Sequence, residues 1–166
     1  ELAKYFGGAN MTTVTIETDE DGEQYAALST TSAGTDPFVD FSFKKFAKAA
    51  GMDNVKADDY KYVVLKIRSV GCSSGTFELF FYSGKVSSAT GGMMTTSSFD
   101  LSEEGWQYIL FDLSAFDAWT GNVNGFRFDY QLSAAGAGES MYISHIYFAK
   151  DDAEMRKVTG GLGFPM

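Results

Sequence analysis

The sequence predicts an all-β fold, a sandwich of two antiparallel sheets, and three observations predict it. Residues 106–112, 126–130 and 141–148 are crowded with aromatic and β-branched side chains, which fit a pleated surface and crowd a helix. About eight such segments recur at 8- to 20-residue spacing with no helical repeat between them, the spacing of a two-sheet sandwich of jelly-roll type. The 18 glycines fall in the turns between segments and follow no collagen period.

The elements follow in chain order. Residues 1–10 show no clear period. Residues 13–16 and 25–29 flank Asp19-Glu20-Asp21-Gly22, turn chemistry between two strands. Asp36-Pro37 interrupts the chain before residues 38–43, which alternate apolar and polar with period two. Residues 44–50 hold helix formers, with Phe46 and Ala47 or Ala50 at helical spacing and Gly51 to close them, so one short helix is expected there. Residues 60–69 make the strongest strand and 76–82 the next; with only the Gly71 to Gly75 turn between them, they are expected to pair as antiparallel neighbours. Residues 83–98, rich in Gly, Ser, Thr and Met, read as a short edge strand or a loop. Residues 113–119 fit a single helical turn. The last eight residues, 159–166, read as a linker or tail after one module spanning residues 1–158.

Composition limits the function. A chain of 166 residues that is 45% hydrophobic and 16% aromatic builds one self-sufficient core. Thirteen basic against 22 acidic residues give a net charge of −9, which repels phosphate backbones and anionic membrane surfaces. Cys72 is the only cysteine, so neither an intrachain disulfide nor a cysteine-rich zinc site can form. No apolar run approaches the ~20 residues of a membrane span. A Ser/Thr/Gly/Tyr-rich acidic surface points outside the cell.

Catalytic parts are scarce. His145 is the only histidine, no Gly-x-Ser-x-Gly elbow exists, and Cys72 sits in a Ser/Gly turn without a neighbouring base. Asp112, Asp129 and Glu78 lie on strands and could pair for glycoside hydrolysis. Against that, Asp112 precedes Leu113-Ser114 as a turn cap would, and Asp129 has Arg127 or Arg68 as an ion-pair partner. Cofactors are not required. A structural calcium could draw oxygen ligands from Asp19, Glu20, Asp21, Asp36 or Asp40, although no EF-hand spacing is present.

Strand alternation carries the functional signal. In residues 60–69, Val63, Leu65 and Ile67 share one face while Tyr62, Lys66 and Arg68 share the other. Phe77, Leu79 and Phe81 likewise oppose Glu78, Phe80 and Tyr82, and Phe126, Phe128 and Tyr130 oppose Arg127, Asp129 and Gln131. A face that mixes rings with charges and amides suits a pyranose, whose C–H faces stack on rings and whose hydroxyl rim needs donors and acceptors. Tyr82, Arg68, Glu78, Arg127, Asp129 and Gln131 are therefore the candidate ligand-binding residues, on a sheet-face cleft. An ordinary solvated face with cross-strand ion pairs is the competing reading. Trp106, opening a strand, reads as core. Trp119 is either a packing anchor or a second stacking platform at the loop rim, and joins the candidates on that account.

Asp36-Pro37, Asp58-Asp59-Tyr60, Glu78-Leu79-Phe80-Phe81-Tyr82, Trp106-Gln107-Tyr108-Ile109, Trp119-Thr120-Gly121, Phe126-Arg127-Phe128-Asp129 and residues 143–148 together resemble the galactose-binding-like β-sandwich modules of secreted bacterial polysaccharide-degrading and cellulosomal proteins. The resemblance spans residues 12–150 and describes a scaffold more than a ligand site. It implies a non-catalytic carbohydrate-binding module, secreted and appended to a larger multi-modular protein, that targets a plant cell-wall β-glucan or related glycan. It also implies that Trp119 is a scaffold anchor. Where such modules carry an acidic residue in the last strand, this chain has Ser144 and His145, so one ligand of a structural calcium would be missing. Two other functions stand beside this one: an adhesion or scaffold module that binds protein through a sheet face or the Met93-Met94 loop, and a small glycoside hydrolase or lyase.

Overall fold

The computed structural model describes residues 2–88, 92–131 and 136–160. Among them ten strands and two short α-helices follow in the order β1 (Phe6–Asn10), β2 (Thr12–Thr18), β3 (Gln24–Thr30), β4 (Phe38–Phe41), α1 (Phe43–Ala49), β5 (Tyr62–Val70), β6 (Thr76–Ser83), β7 (Met94–Ser98), β8 (Gln107–Asp112), β9 (Val123–Asp129), β10 (Ser140–Ala149) and α2 (Asp152–Val158). Sheet A has the order β1-β4-β9-β6-β7 and sheet B the order β2-β3-β10-β5-β8. Every pairing is antiparallel. The all-β two-sheet sandwich is the fold the sequence predicts, and no helix among the described residues is long and apolar enough to cross a membrane.

Period-two alternation fills the space between the sheets. Sheet A contributes Val39, Phe41, Phe77, Leu79, Phe81, Phe126 and Phe128, and sheet B contributes Leu28, Val63, Leu65, Ile67, Ile109, Phe111 and Met141. Each buried aromatic or branched side chain stabilises the fold by roughly 1.5–3 kcal/mol relative to exposure. Several ring pairs meet edge-on, as in Phe77 against Phe111 (5.9 Å, 64°) and Phe81 against Phe116 (5.2 Å, 72°), an arrangement their quadrupoles favour.

The expected β5–β6 hairpin does not form. β5 pairs with β10 and β8 in sheet B, whereas β6 pairs with β9 and β7 in sheet A. The 71–75 connection therefore crosses from one sheet to the other. Gln131 holds it: its Oε1 accepts from Ser73 N (3.1 Å) and Ser74 N (2.9 Å), and its Nε2 donates to Ser74 O (2.8 Å). Residues 113–119, where the sequence suggests a single helical turn, make two successive hydrogen-bonded turns, Phe116 N to Leu113 O and Trp119 N to Phe116 O.

Two elements lie outside the sequence expectation. β1 is a glycine-rich edge strand on β4. α2 is capped by Asp151, whose Oδ1 accepts from Glu154 N at 2.9 Å, and lays Met155 on Tyr62, Val64 and Ala149. That contact covers one end of the outer face of sheet B. Thr159, placed in the tail by the sequence, is 1% exposed and donates from Oγ1 to Met155 O (3.1 Å). Residues 161–166 of that tail lie outside the described residues, as do residues 89–91 of the 83–98 segment; the remainder of that segment supplies β7.

Candidate functional site

β9 alternates so that Phe126 and Phe128 enter the core while Arg127 and Asp129 stand on the outer face of sheet A. Neighbouring strands complete that face. Asp40 of β4, Arg127 of β9, Phe80 of β6 and Met94 of β7 form one cross-strand row, and Asp129, Glu78 and Thr96 form the next.

Arg127 is the centre of the face. Its guanidinium carbon lies 3.5 Å from the centroid of the Phe38 ring and 4.8 Å from that of Phe80. Nε and Nη2 donate to the two oxygens of Asp129 at 2.8 and 2.7 Å, and Nη2 also reaches Asp36 Oδ1 at 3.2 Å. A planar cation between two ring faces, braced by a bidentate carboxylate, is held in one orientation before any ligand arrives. Burial pushes the Asp129 carboxyl up to about 6 against the opposing pull of Arg127. Burial also raises Glu78.

Beside this stack lies a cleft of about 410 Å³ whose walls include Asp40, Tyr82, Lys44, Lys45, Lys85 and Asn124. Gly125 also lines it, and the backbone packs so closely there that a Cβ would sit 2.5 Å from Phe41 O. The Tyr82 hydroxyl donates to Asp40 Oδ1 at 2.5 Å, and burial, reinforced by that bond, raises the phenol well above its ordinary range. Asn124 Nδ2 donates to Gly84 O (3.0 Å) and Val86 O (2.7 Å), pinning the loop that presents Lys85. In a chain of net charge −9, the cleft sets three exposed lysines against one aspartate.

Tyr82, Glu78, Arg127 and Asp129 thus share a face, while the other three candidates stand elsewhere. Arg68 is on β5, opposite Tyr142 on the outer face of sheet B, since β5 and β6 belong to different sheets. Gln131 is 1% exposed and its amide is consumed by the 71–75 connection. Trp119 is 6% exposed, donates from Nε1 to Tyr60 O at 2.9 Å and meets Phe81 edge-on at 5.6 Å. It is the anchor, not the platform. The corner after it closes through Asp58, which accepts from Thr120 Oγ1 (2.6 Å) and Gly121 N (2.8 Å). Phe38, Phe80 and the lysines are not among the sequence candidates, and Asp40 is one for calcium only. The alternation of Phe38-Val39-Asp40-Phe41 signals two of them, but it does not say which sheet that strand joins.

Other residues singled out by sequence have structural partners. Asp112 Oδ1 accepts from Ser114 N (3.0 Å) and Ser114 Oγ (2.6 Å), a turn cap. Cys72 Sγ donates to Ser140 O, and burial pushes the thiol up to about 11. His145 stacks on Tyr147 (5.2 Å, 2°) with Nδ1 2.9 Å from Ser144 Oγ. Met93 is 4% exposed, so it is not part of an open loop surface. Asp19 Oδ1 accepts from Asp21 N and Glu23 N within its own turn. Among the described residues no three His, Cys, Asp or Glu side chains gather to hold a metal ion. Trp106, read as core, stands half-exposed on the outer face of sheet B.

No family model matches the chain, and no curated protein does. Solved structures do. A family 11 carbohydrate-binding module from Clostridium thermocellum, in complex with a β-1,3-1,4-mixed-linked tetrasaccharide, shares 16% identity at TM-score 0.55 over 87% of this chain and 86% of its own. The low-affinity xylan-binding module CBM86 from Roseburia intestinalis shares 11% at TM-score 0.50 over 92% and 94%. An exo-β-agarase shares 13% at TM-score 0.57 over 89% of this chain but only 23% of its own. At these identities the likeness is one of architecture: the chain has the β-sandwich fold found in carbohydrate-binding modules.

Proposed function

We propose that the chain is a non-catalytic carbohydrate-binding module that holds a polysaccharide on the outer face of sheet A. The Phe38–Arg127–Phe80 stack carries this reading. It offers apolar ring surface to sugar C–H faces and donors to the hydroxyl rim, in one pre-set plane. The adjoining cleft adds Asp40 as an acceptor and lysines as donors, and its positive edge suits a glycan with uronate substituents. Plant cell-wall β-glucan and xylan are the first ligands to consider, given what the modules of similar fold bind. Binding of this kind is weak per site and is raised by tethering to a larger secreted protein.

Hydrolysis fits the face less well. Glu78 and Asp129 are cross-strand partners, but Asp129 is 3% exposed and both its oxygens accept from Arg127. Neither oxygen is free to attack or to activate water. Binding of a protein partner through the Met93-Met94 loop loses its basis with Met93 in the core.

The test is affinity gel electrophoresis against β-glucans, xyloglucan, xylan, mannan and pectin, with Phe80→Ala alongside and a reducing-sugar assay on the same polymers. Retardation that Phe80→Ala weakens, with no sugar released, supports the proposal. No retardation on any polymer, or release of reducing sugar, sinks it.

A further inference from the structure

We propose that the outer face of sheet B is a second glycan-binding platform, built from Tyr25, Trp106 and Tyr142 and edged by Lys66 and Arg68. The inference rests on the reading of the chain as a polysaccharide-binding module and adds a site on the opposite sheet. Tyr25 comes from β3, Tyr142 from β10 and Trp106 from the residue before β8, so three separate segments converge. Tyr25 lies 4.8 Å from Tyr142 and 5.5 Å from Trp106, and Trp106 lies 6.5 Å from Tyr142. All three are half-exposed. Ala27, on the same face of β3 as Tyr25, is 2% exposed because the side chains around it roof it over.

Among the described residues no helix packs over this end of the sheet. α2 shields Tyr62 and Val64, whereas Arg68 stands six residues along the same strand, roughly 20 Å away at ~3.3 Å per residue. An indole and two phenols left at a surface are a costly choice unless something stacks on them.

The chemistry at the rim selects a neutral hydroxylated ligand. Lys66 Nζ sits 5.8 Å from the Trp106 ring centroid, and Arg68 is exposed with no hydrogen bond or ion pair among the described residues. On the other side Glu17 is fixed by the Tyr25 hydroxyl (2.9 Å) and Thr15 Oγ1 (3.2 Å). Both charge signs thus border the rings, which gives donors and acceptors together, with Glu17 offsetting one of the two cations. Interfaces that bury protein tend to exclude lysine and glutamate from such positions. The ring planes are inclined by 38°, 49° and 73° to one another, so they cannot lie together on a flat crystalline surface. They fit a single twisted chain, each ring meeting a different sugar.

Tryptophan emission tests the site directly, because Trp119 is buried and Trp106 is not. The unmodified chain, Phe80→Ala, Tyr142→Ala and Arg68→Ala are titrated with soluble β-glucan and xylan, reading emission and gel retardation in parallel. A blue shift on binding that survives Phe80→Ala, with retardation reduced about fivefold by Tyr142→Ala, is the expected result. Arg68 is exposed, and near-UV circular dichroism of Arg68→Ala separates a loss of binding from a loss of fold. Retardation without any emission change, untouched by Tyr142→Ala and Arg68→Ala, overturns the second platform and leaves the sheet A proposal standing. Self-association that Tyr142→Ala abolishes makes this face a protein contact and also overturns it. No retardation of the unmodified chain removes both sites together.

Discussion

Arg127 and Asp129 stand two residues apart on β9 and form a bidentate ion pair, 2.8 and 2.7 Å, along the strand instead of across it. The pair is unequal in exposure: the arginine side chain is 16% exposed and the aspartate 5%. The carboxylate is therefore a buried support, and the guanidinium is the more exposed partner, the one the proposed glycan would meet.

Phe80→Ala and Arg127→Ala should separate binding from stability. Phe80 is half-exposed, so its truncation removes stacking surface at a cost of about 1 kcal/mol in folding. Arg127→Ala leaves Asp129 buried without its partner and costs roughly 3–5 kcal/mol. Urea denaturation beside affinity electrophoresis checks this. Equal stability losses would mean that Asp129 is not supported by Arg127.

Lowering the pH should move stability and binding in opposite directions. The folded-state carboxyl of Asp129 titrates at about 6 against an ordinary value of 3.8. The folded protein thus holds that proton more tightly than the unfolded chain. Its contribution to stability is full below the ordinary value and is lost as pH rises through about 6. Protonation also loosens the brace on Arg127, so retardation weakens as pH falls from about 7 to about 5. Comparison with Asp129→Asn isolates the group: the variant should show neither change over this window beyond that caused by the other acids.

Trp119→Ala should behave as a core deletion. Its loss opens a cavity against Phe81 and orphans Tyr60 O, for roughly 3–5 kcal/mol. Under conditions where the variant remains folded by near-UV circular dichroism, polymer retardation is expected to match the unmodified chain. Selective loss of binding in a folded variant would return Trp119 to the site.

Charge at the cleft predicts a salt effect. Lys85→Ala with Lys44→Ala should reduce retardation on a uronate-substituted xylan more than on an unsubstituted one, and the difference should fade as ionic strength approaches ~1 M. An equal effect on both polymers would assign the lysines to hydroxyl contacts.

Legibility in the sequence tracks locality. Alternation within β6 and β9 tells which residues share a face, so the sequence alone groups Glu78 with Tyr82 and Arg127 with Asp129. Strand order is not written locally. Residues 71–75 look like a hairpin turn but carry the chain from sheet B to sheet A, and Arg68 consequently belongs to the opposite sheet from the residues it is grouped with by sequence. β1 is hidden because Gly7 and Gly8 blank out an alternating pattern. α2 does leave a signal, Asp151 followed three residues later by Glu154, of the kind that starts a helix. Trp106 misleads because a tryptophan at a strand start reads as core, and only the neighbours on β3 and β10 show otherwise.

β10 lies between β3 and β5, and those two strands do not pair with each other. During synthesis the β2–β3 hairpin and the β5–β8 pair must therefore wait, each with an open edge, until residues 140–149 have left the ribosome. Half of the sandwich can close only after nearly the whole described chain exists. The interval before that is when its unpaired edges are most open to aggregation or to a chaperone.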